Sequence, residues 1–456
     1  MQQRMFTFTS EIGKIAIQTG KASPLTDDSF VAYYGGAKRL IYERAAKSLK
    51  TDYFGVRDTH VKLFTKDEYR KPGGAPRAIQ PRSPRYNVCL GRYIKHIEHN
   101  VYNAIDQVYD PSKQHKTVAK GMNMITRGQT IAAMWGSFNN PIAIGLDASR
   151  FDQHININLL KHEHRIIQMF AASRCSDLPN LSTLLKAQLR NKGSYRGPDG
   201  TIKYEVNGCR MSGDMNTSLG NVIVMCSLMF SYIEHVGLRG KVKLLNDGDD
   251  CVIVLDRKNK SAFVTGLEKW FLEMGITMKF EGEFTQLEHI QFCQSQPVFS
   301  EIHGYQLVPR PVKRLYSDLI SSKNLSNPYL FKNQVGAVAG CGLACSSGIP
   351  IFQAFYLWLG SGASPWIPEM GDAYYKYRQE LVDGMEFRKR EPSIRERISF
   401  YFAYGLTPDQ QMIVETYYNE LKSPHYSTPV EDPPTLLHLV QKVLVPPEQA
   451  HRNMRR

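Results

Sequence analysis

Apolar and polar positions along the chain switch between helical and strand periods, and each switch marks an element. Between 36 and 49, Ala37, Leu40, Ile41, Ala45 and Leu49 recur at helical spacing, which predicts an amphipathic helix with that face buried. Residues 141–151 open instead on a continuous apolar run, Ile142-Ala143-Ile144-Gly145-Leu146, that ends at Asp147. This reads as a buried strand, followed by a polar turn and a helix from about Asn156 to Phe170. Gly193 to Asn207 reads as a hairpin turning at Pro198-Asp199-Gly200. After Met211-Ser212-Gly213 a helix is expected from about Asn216 to Tyr232, then a second hairpin: KVKLL, the turn Asn246-Asp247-Gly248-Asp249, and CVIVL. Beyond residue 306 helical patterns dominate, one of them opened by Thr407-Pro408-Asp409-Gln410, a capping box with proline at the first helical position. Strand, helix, then strand-turn-strand describes an α+β core with an antiparallel centre and a mostly helical C-terminal region.

The chain has 456 residues, room for two or three core-sharing units at about 100–200 residues each, which excludes a small disulfide- or metal-nucleated module. Hydrophobic residues at 42% and charged residues at 22% exclude disorder as the main state. Lys and Arg number 57 against 43 Asp and Glu, and the resulting +14 favours polyanionic partners, either nucleic acid or an anionic membrane surface. Eight cysteines are scattered without a Cys-x-x-Cys pair, which points to reduced thiols in a reducing compartment rather than to a structural zinc. His154, His162 and His164 gather near one acidic cluster without a fourth ligand at zinc spacing, so they read as hydrogen-bonded or surface histidines. The first twenty residues hold no apolar run long enough for a secretory leader. The longest uncharged stretch, 333–368, is interrupted by Pro350, Pro365 and several glycines, so packed helices and loops of a soluble chain are expected there rather than a membrane span. No Walker loop and no Gly-x-Gly-x-x-Gly occurs, which leaves helicase-type NTPases and dinucleotide enzymes without their phosphate cradles.

Half of the excess positive charge sits in residues 57–96, where ten basic residues stand against three acidic ones. Pro72, Gly73, Gly74, Pro76, Pro81 and Pro84 are expected to keep much of this segment extended or turning. Its cations then read as a basic surface loop or as a channel wall facing phosphates, not as the solvated face of a helix. A basic tail, His451-Arg452-Asn453-Met454-Arg455-Arg456, closes the chain.

Two acidic clusters fall at the turn-facing ends of apolar strands: Asp147-x4-Asp152, and Gly248-Asp249-Asp250 at the tip of the second hairpin. Carboxylates crowded at the rim of a buried sheet repel one another and call for compensating positive charge. Mg2+ suits them, because it takes oxygen ligands, keeps some water and is commonly held by one or two carboxylates plus substrate phosphates. Two such ions about 3.5–4 Å apart would clamp the attacking and leaving oxygens of an in-line phosphoryl transfer. A Gly-Asp-Asp turn by itself is an ordinary hairpin tip. Its weight comes from the stretch Ser212 to Asn221 between the clusters, a glycine-flanked polar loop running into a helix. Thr217 and Asn221, four apart, share a helical face with Ser212 nearby, and the glycines allow backbone to approach a nucleic-acid strand closely. A plain Ser/Thr/Asn helix cap is the alternative.

The blocks DASRFD (147–152), SGDMNTSLGN (212–221), GDD (248–250), MGITMKFE (274–281) and FCQSQPV (292–298), preceded by KPGGAPRAIQPR (71–82), resemble in order and spacing the RNA-dependent RNA polymerases of plus-strand RNA viruses. The wording is nearest the tombusvirus-like group. The resemblance covers about residues 60–310 and is loose beyond, mainly around Gly340 to Tyr356. It implies a right-hand polymerase of fingers, palm and thumb, with an antiparallel palm sheet and a mostly helical thumb. Residues 1–140 would form the N-terminal region and fingers, 141–165 and 209–305 the palm, 166–208 a fingers insertion, and 306–456 the thumb and C-terminal tail.

Carried over by position, Asp147 and Asp249 would be the principal ligands of Mg2+, or of Mn2+ in its place, with Asp250 in support. Asp152 and Asn221, with Ser212 or Thr217, would bond around the incoming ribose 2′-hydroxyl. Arg77 would lie over the triphosphate, Lys71, Arg82 and Arg85 would line its access path, and Lys279 would protonate the pyrophosphate leaving group. Phe292-Cys293-Gln294 would help position the growing 3′ end. The implied activity is replication of a plus-strand viral RNA genome by two-metal nucleotidyl transfer, from NTPs to the 3′-hydroxyl of nascent RNA on an RNA template. Other viral replication proteins, and host membranes reached through a partner or an upstream region, are the implied partners. The implied location is the host cell cytoplasm, at membrane-associated replication complexes. A reverse transcriptase shares the palm carboxylates, but the Asp152 and Asn221 pair argues for a site that bonds the 2′-hydroxyl rather than excluding it. A non-catalytic RNA-binding scaffold would need only the basic segment and the tail.

Overall fold

The apolar runs Ile142–Leu146 and Cys251–Leu255 become neighbouring inner strands of one sheet, continuous in hydrophobicity because both of their faces are covered. The structure, a computed structural model, describes residues 3–66, 73–173, 175–319, 327–363 and 382–423. Lys71 and the basic tail 451–456 lie outside the described residues. Ten strands are formed among the described residues: β1 (Val61–Thr65), β2 (Ala78–Ile79), β3 (Pro141–Ala148), β4 (Arg190–Gly197), β5 (Gly200–Asn207), β6 (Val242–Asn246), β7 (Asp250–Asp256), β8 (Met278–Phe284), β9 (Ser295–Ser300) and β10 (Gly304–Pro309). The chain is α+β and divides into two units: residues 1–120 with 138–283, and residues 121–137 with 284–456. The second unit begins at Phe284, upstream of the expected boundary at 305/306, and also takes in Gly121–Ser137.

In the first unit the central sheet runs β6-β7-β3-β8. Both hairpins form where turn chemistry placed them: β4 with β5 around Pro198-Asp199, and β6 with β7 around Asp247–Asp249, all antiparallel. The helix Thr217–His235 is buried along almost its whole length, from Leu219 to Ile233. It is the one described helix long and apolar enough to cross a membrane by length and composition, and here it is the core helix. Around it pack the helices Phe6–Thr19, Pro84–Tyr109 and Ile157–Phe170, whose apolar faces share one core with β3 and β7. A second sheet, β2-β1-β4-β5, pairs β1 parallel to β4, a long-range crossover that local turn signals do not reveal.

Two expectations are corrected. The helix Gly36–Thr51 exists, but Leu40 and Ile41 are 53% and 47% exposed while Tyr42, Ala45 and Ala46 are buried. Tyr42 decides the face: its ring lies 4.7 Å from that of Tyr34 and 5.3 Å from that of Phe30, and the two alanines let the helix approach that aromatic cluster. The basic segment is also not extended throughout, because Arg85, Arg92 and Lys95 lie on the helix Pro84–Tyr109. Pro84 starts this helix rather than breaking it: it occupies the first turn, where a missing N–H is harmless, and the Ser83 hydroxyl caps Tyr86 N.

The second unit is built on the antiparallel β9-β10 hairpin and the helices Met124–Gly136, Pro328–Ala344, Phe352–Gly360, Ile394–Tyr404 and Pro408–Glu420. Its core gathers Val298, Val308, Phe352, Phe355, Tyr356, Phe400 and Tyr418. Helix Met124–Gly136 lies on β10 so closely that a side chain at Gly128 would strike the Gln306 backbone. Thr407 caps Gln410 with proline at the next position, as the capping-box reading expects.

Candidate active site

The antiparallel register of β3 and β7 ends by pairing Asp147 with Asp250. Asp249 precedes Asp250 at the exposed tip of the β6-β7 turn. That turn is shaped by Asn246, a fully buried residue at the end of β6. Its Oδ1 accepts from Gly248 N at 3.1 Å, and its Nδ2 donates to the carbonyls of Gly248 at 2.7 Å and Asp250 at 3.2 Å. Gly248 takes a φ of +95°, a conformation that L side chains rarely adopt. Asn246 is in turn fastened by Thr117 O and Ala119 N, and Lys120 pairs with Asp247 at 2.5 Å. The tip is thereby locked from three sides, and its outward carboxylates are the ones left at the rim.

Although Asp249 reaches solvent, partial loss of hydration among the neighbouring strand ends raises its pKa above the ordinary carboxylate value, and the negative charges of Asp152 and Asp147 raise it further. Its own backbone amide and Lys120 oppose the shift without cancelling it. Carboxylates from two distant parts of the chain thus sense one another at one sheet edge. The donors are all oxygen and anionic, which fits a hard divalent cation. Among the described residues no group of three or more His, Cys, Asp or Glu side chains is arranged to hold a metal ion by itself. Asp147, Asp249 and Asp250 could hold a cation only with water and substrate phosphates supplying the rest of its shell.

Beside this edge, Asn221 Nδ2 donates to Asp152 Oδ1 at 2.9 Å, so these two residues, 69 positions apart, form one polar unit. Thr217 is committed elsewhere: its hydroxyl donates to Met211 O at 3.1 Å and ties down the loop. Ser212 is half-buried, with its hydroxyl 3.5 Å from Ala78 O. The glycines of this loop serve the protein's own packing. A side chain at Gly213 would collide with the Pro81 backbone, and one at Gly220 with Glu163 and Arg210.

The expected cation wall separates into two kinds of residue. Arg77 is exposed just before β2, and Lys279 is exposed on β8, the strand next to β3. Arg82 does not line an open path. Its side chain is 0% exposed and pairs with Asp214, 2% exposed, at 2.7 Å, while it also donates to Thr59 O and Asn191 Oδ1 and stacks 5.1 Å from the Tyr86 ring. Burial works against its charge, but the Asp214 carboxylate, with Tyr86 and Tyr204, more than offsets this and the Arg82 pKa rises. Arg85 is likewise occupied, donating to Asp58 at 2.9 Å, to Ser48 at 2.9 Å and to the carbonyls of Asp52 and Tyr53. Both arginines brace the segment that carries Arg77.

The histidines near the first acidic cluster have protein partners. His154 Nδ1 meets Ser149 O at 2.8 Å, and buried His162 and His164 donate to Ser227 Oγ at 2.8 Å and Gln188 Oε1 at 3.1 Å. Phe292, Cys293 and Gln294 belong to the second unit, in a tight turn with φ of +50° at Cys293 and +60° at Gln294. Phe292 is buried there under the Arg127 guanidinium, and Lys313 donates to Gln294 Oε1 at 2.5 Å. Sequence reasoning missed Asn246, Arg210, Glu163 and Asp214. Glu163 lies among charged neighbours (KHEHR, 161–165), Arg210 and Asp214 lie in a polar loop (NGCRMSGD, 207–214), and Asn246 reads as an ordinary turn residue, so no local signal marked them.

Compared with known proteins, the chain matches the family described as viral RNA dependent RNA polymerase over residues 2–425. It is 38% identical over 414 residues to an RNA-directed RNA polymerase of Tobacco necrosis virus (strain A), covering 88% of this chain and 54% of that protein. The protein of the same name from Tomato bushy stunt virus (strain Cherry) is 38% identical over 402 residues, covering 87% and 47%. That of Turnip crinkle virus is 34% identical over 415 residues, covering 88% and 51%. The chain spans about half the length of the curated relatives it matches.

Proposed function

Because the chain belongs to the viral RNA-dependent RNA polymerase family, we propose that it carries out template-directed RNA synthesis for a plus-strand viral genome. In this reading the 3′-hydroxyl oxygen of the nascent RNA bonds to the α-phosphorus of an NTP. The bond from that phosphorus to the oxygen bridging the β-phosphate breaks, the hydroxyl proton is released, and pyrophosphate leaves. The observation that supports it most is the β3-β7 register, with Asp147 opposite Asp250 and Asp249 beside them. Asp147 and Asp249 would hold the two divalent cations, Mg2+ or Mn2+, with Asp250 in support. When bound, these ions ease loss of the hydroxyl proton and neutralise charge on the leaving pyrophosphate.

The chain's own groups do the orienting. Asp152 and Asn221 would receive the ribose 2′-hydroxyl, with the Ser212 hydroxyl better available than that of Thr217. Arg77 would grip the triphosphate with a planar, permanently charged fork, and Lys279 would give a proton to pyrophosphate. The sheet β6-β7-β3-β8 would be the palm, the sheet β2-β1-β4-β5 part of the fingers, and the second unit the thumb. On this reading the polymerase works in the host cytoplasm at membrane-associated complexes with other replication proteins.

A primed RNA template extended by the purified chain with Mg2+, given UTP or dTTP, tests the reading. Strong preference for UTP is expected. Equal use, or preference for dTTP, would move the chain to the reverse-transcriptase class.

A further inference from the structure

Asn221 is held at both ends of its amide. Its Oδ1 accepts from Arg210 Nε at 3.1 Å while its Nδ2 donates to Asp152 Oδ1 at 2.9 Å. Turning the amide over would set its NH2 against guanidinium donors and its carbonyl against a carboxylate, so the Arg210 contact dictates which end Asp152 sees. Arg210 also donates its backbone N–H to Asp152 O at 2.9 Å, and therefore touches Asp152 through the main chain as well as through Asn221.

Arg210 is itself clamped. Its side chain is 1% exposed and forks onto Glu163 of the helix Ile157–Phe170, which is 0% exposed. Asn216 Nδ2 donates to the same carboxylate at 2.6 Å. The ion pair passes beneath the helix Thr217–His235 at Gly220, one residue before Asn221, where there is no room for a side chain. Burial opposes the charge on Arg210, but Glu163, Asp152 and Asp214 together more than compensate, so the guanidinium stays protonated. A buried ion pair of this kind is weak evidence for stability, since well-packed apolar residues generally serve that purpose as well or better. Its geometry, by contrast, is directed at one place.

We propose that Arg210, clamped by Glu163, is the positioning residue for sugar selection: it fixes the Asn221 amide and, through it, the Asp152 carboxylate that receives the ribose 2′-hydroxyl. This inference rests on the polymerase reading above and assigns the origin of its substrate selectivity. Loss of the clamp removes a bond that only a ribonucleotide makes, so the two sugar classes respond differently.

The test compares kcat/KM for UTP and 2′-deoxyuridine triphosphate on a primed RNA, for wild type, Arg210→Lys and Glu163→Gln, with thermal unfolding measured on each. Lysine keeps the charge but has no planar fork to serve Asn221 and Glu163 together. Discrimination should fall about tenfold or more in either variant, nearly all of it on the UTP side, with use of the deoxynucleotide within about threefold of wild type. In an Asn221→Ala background, Arg210→Lys should change discrimination no further. An unchanged ratio, an equal loss on both nucleotides, additivity with Asn221→Ala, or loss of the folded state in both variants would overturn the proposal, the last two outcomes showing a role elsewhere or in the fold alone. A wild-type chain that incorporates neither nucleotide would instead overturn the polymerase reading.

Discussion

Asp147 and Asp250 stand opposite one another where the β3-β7 register ends, two carboxylates brought together from chain positions about a hundred residues apart. With Asp249 beside them and its pKa raised, the folded state holds a proton there more tightly than the unfolded chain does. Stability from that protonated form is present below the ordinary value of 3.8 and is lost as pH rises through the raised value. Above that range the site is held together against repulsion. Asp249→Asn is therefore expected to unfold at the same or a higher temperature than wild type at neutral pH without divalent ions. Millimolar Mg2+ or Mn2+ should raise the wild-type Tm and leave the variant nearly unchanged. Calorimetry with and without the ions checks this; a clear destabilisation by Asp249→Asn would show that the charges are not in conflict.

Arg82 and Arg77, five residues apart, should separate stability from substrate binding. Arg82→Met strands a buried Asp214 and is expected to lose about 3–5 kcal/mol, much of it recovered in Arg82→Met/Asp214→Leu. Arg77 is exposed, so Arg77→Ala should leave stability within about 0.5 kcal/mol and raise KM for NTPs. Denaturant unfolding and steady-state kinetics on the three variants give the answer.

His162 provides an acid-sensitive point in the core. Burial lowers its pKa from 6.5 to about 4, with its ring bonded to Ser227. Protonating it in the folded state is penalised by on the order of 3 kcal/mol. The stability it contributes is complete above pH 6.5 and is lost as pH falls toward 4. His162→Gln should flatten the decline of Tm across that interval, relative to wild type, even if it lowers Tm at neutral pH.

Much of this fold could be read from periodicity and turn chemistry, because the strands β3 and β7, both β-hairpins and the helix Thr217–His235 are specified by local apolar runs and Gly/Asn/Asp turns. The face of the helix Gly36–Thr51 could not, since Tyr34 and Phe30 choose it from outside the segment. Nor could the fate of Arg82 and Arg85: a basic stretch reads the same whether its guanidiniums face solvent or reach Asp214 and Asp58. The acidic clusters were visible as clusters, but Asn246 reads as any turn residue although its amide shapes the turn locally, and Glu163 and Arg210 beneath Asn221 look like ordinary charged letters because they find each other only 47 positions apart. Glycines 213 and 220 looked like openings for a ligand and prove to be clearances for Pro81 and for the buried ion pair.

The most direct measurement is incorporation of labelled UTP on a primed RNA by wild type and Asp249→Asn, beside the RNA affinity of each at one fixed salt concentration. Synthesis should drop by about a thousandfold or more in the variant, with Kd for RNA within about twofold. Undiminished synthesis in Asp249→Asn would contradict the metal-binding role of the β3-β7 edge, and RNA binding without synthesis in either protein would leave a scaffold in place of a polymerase.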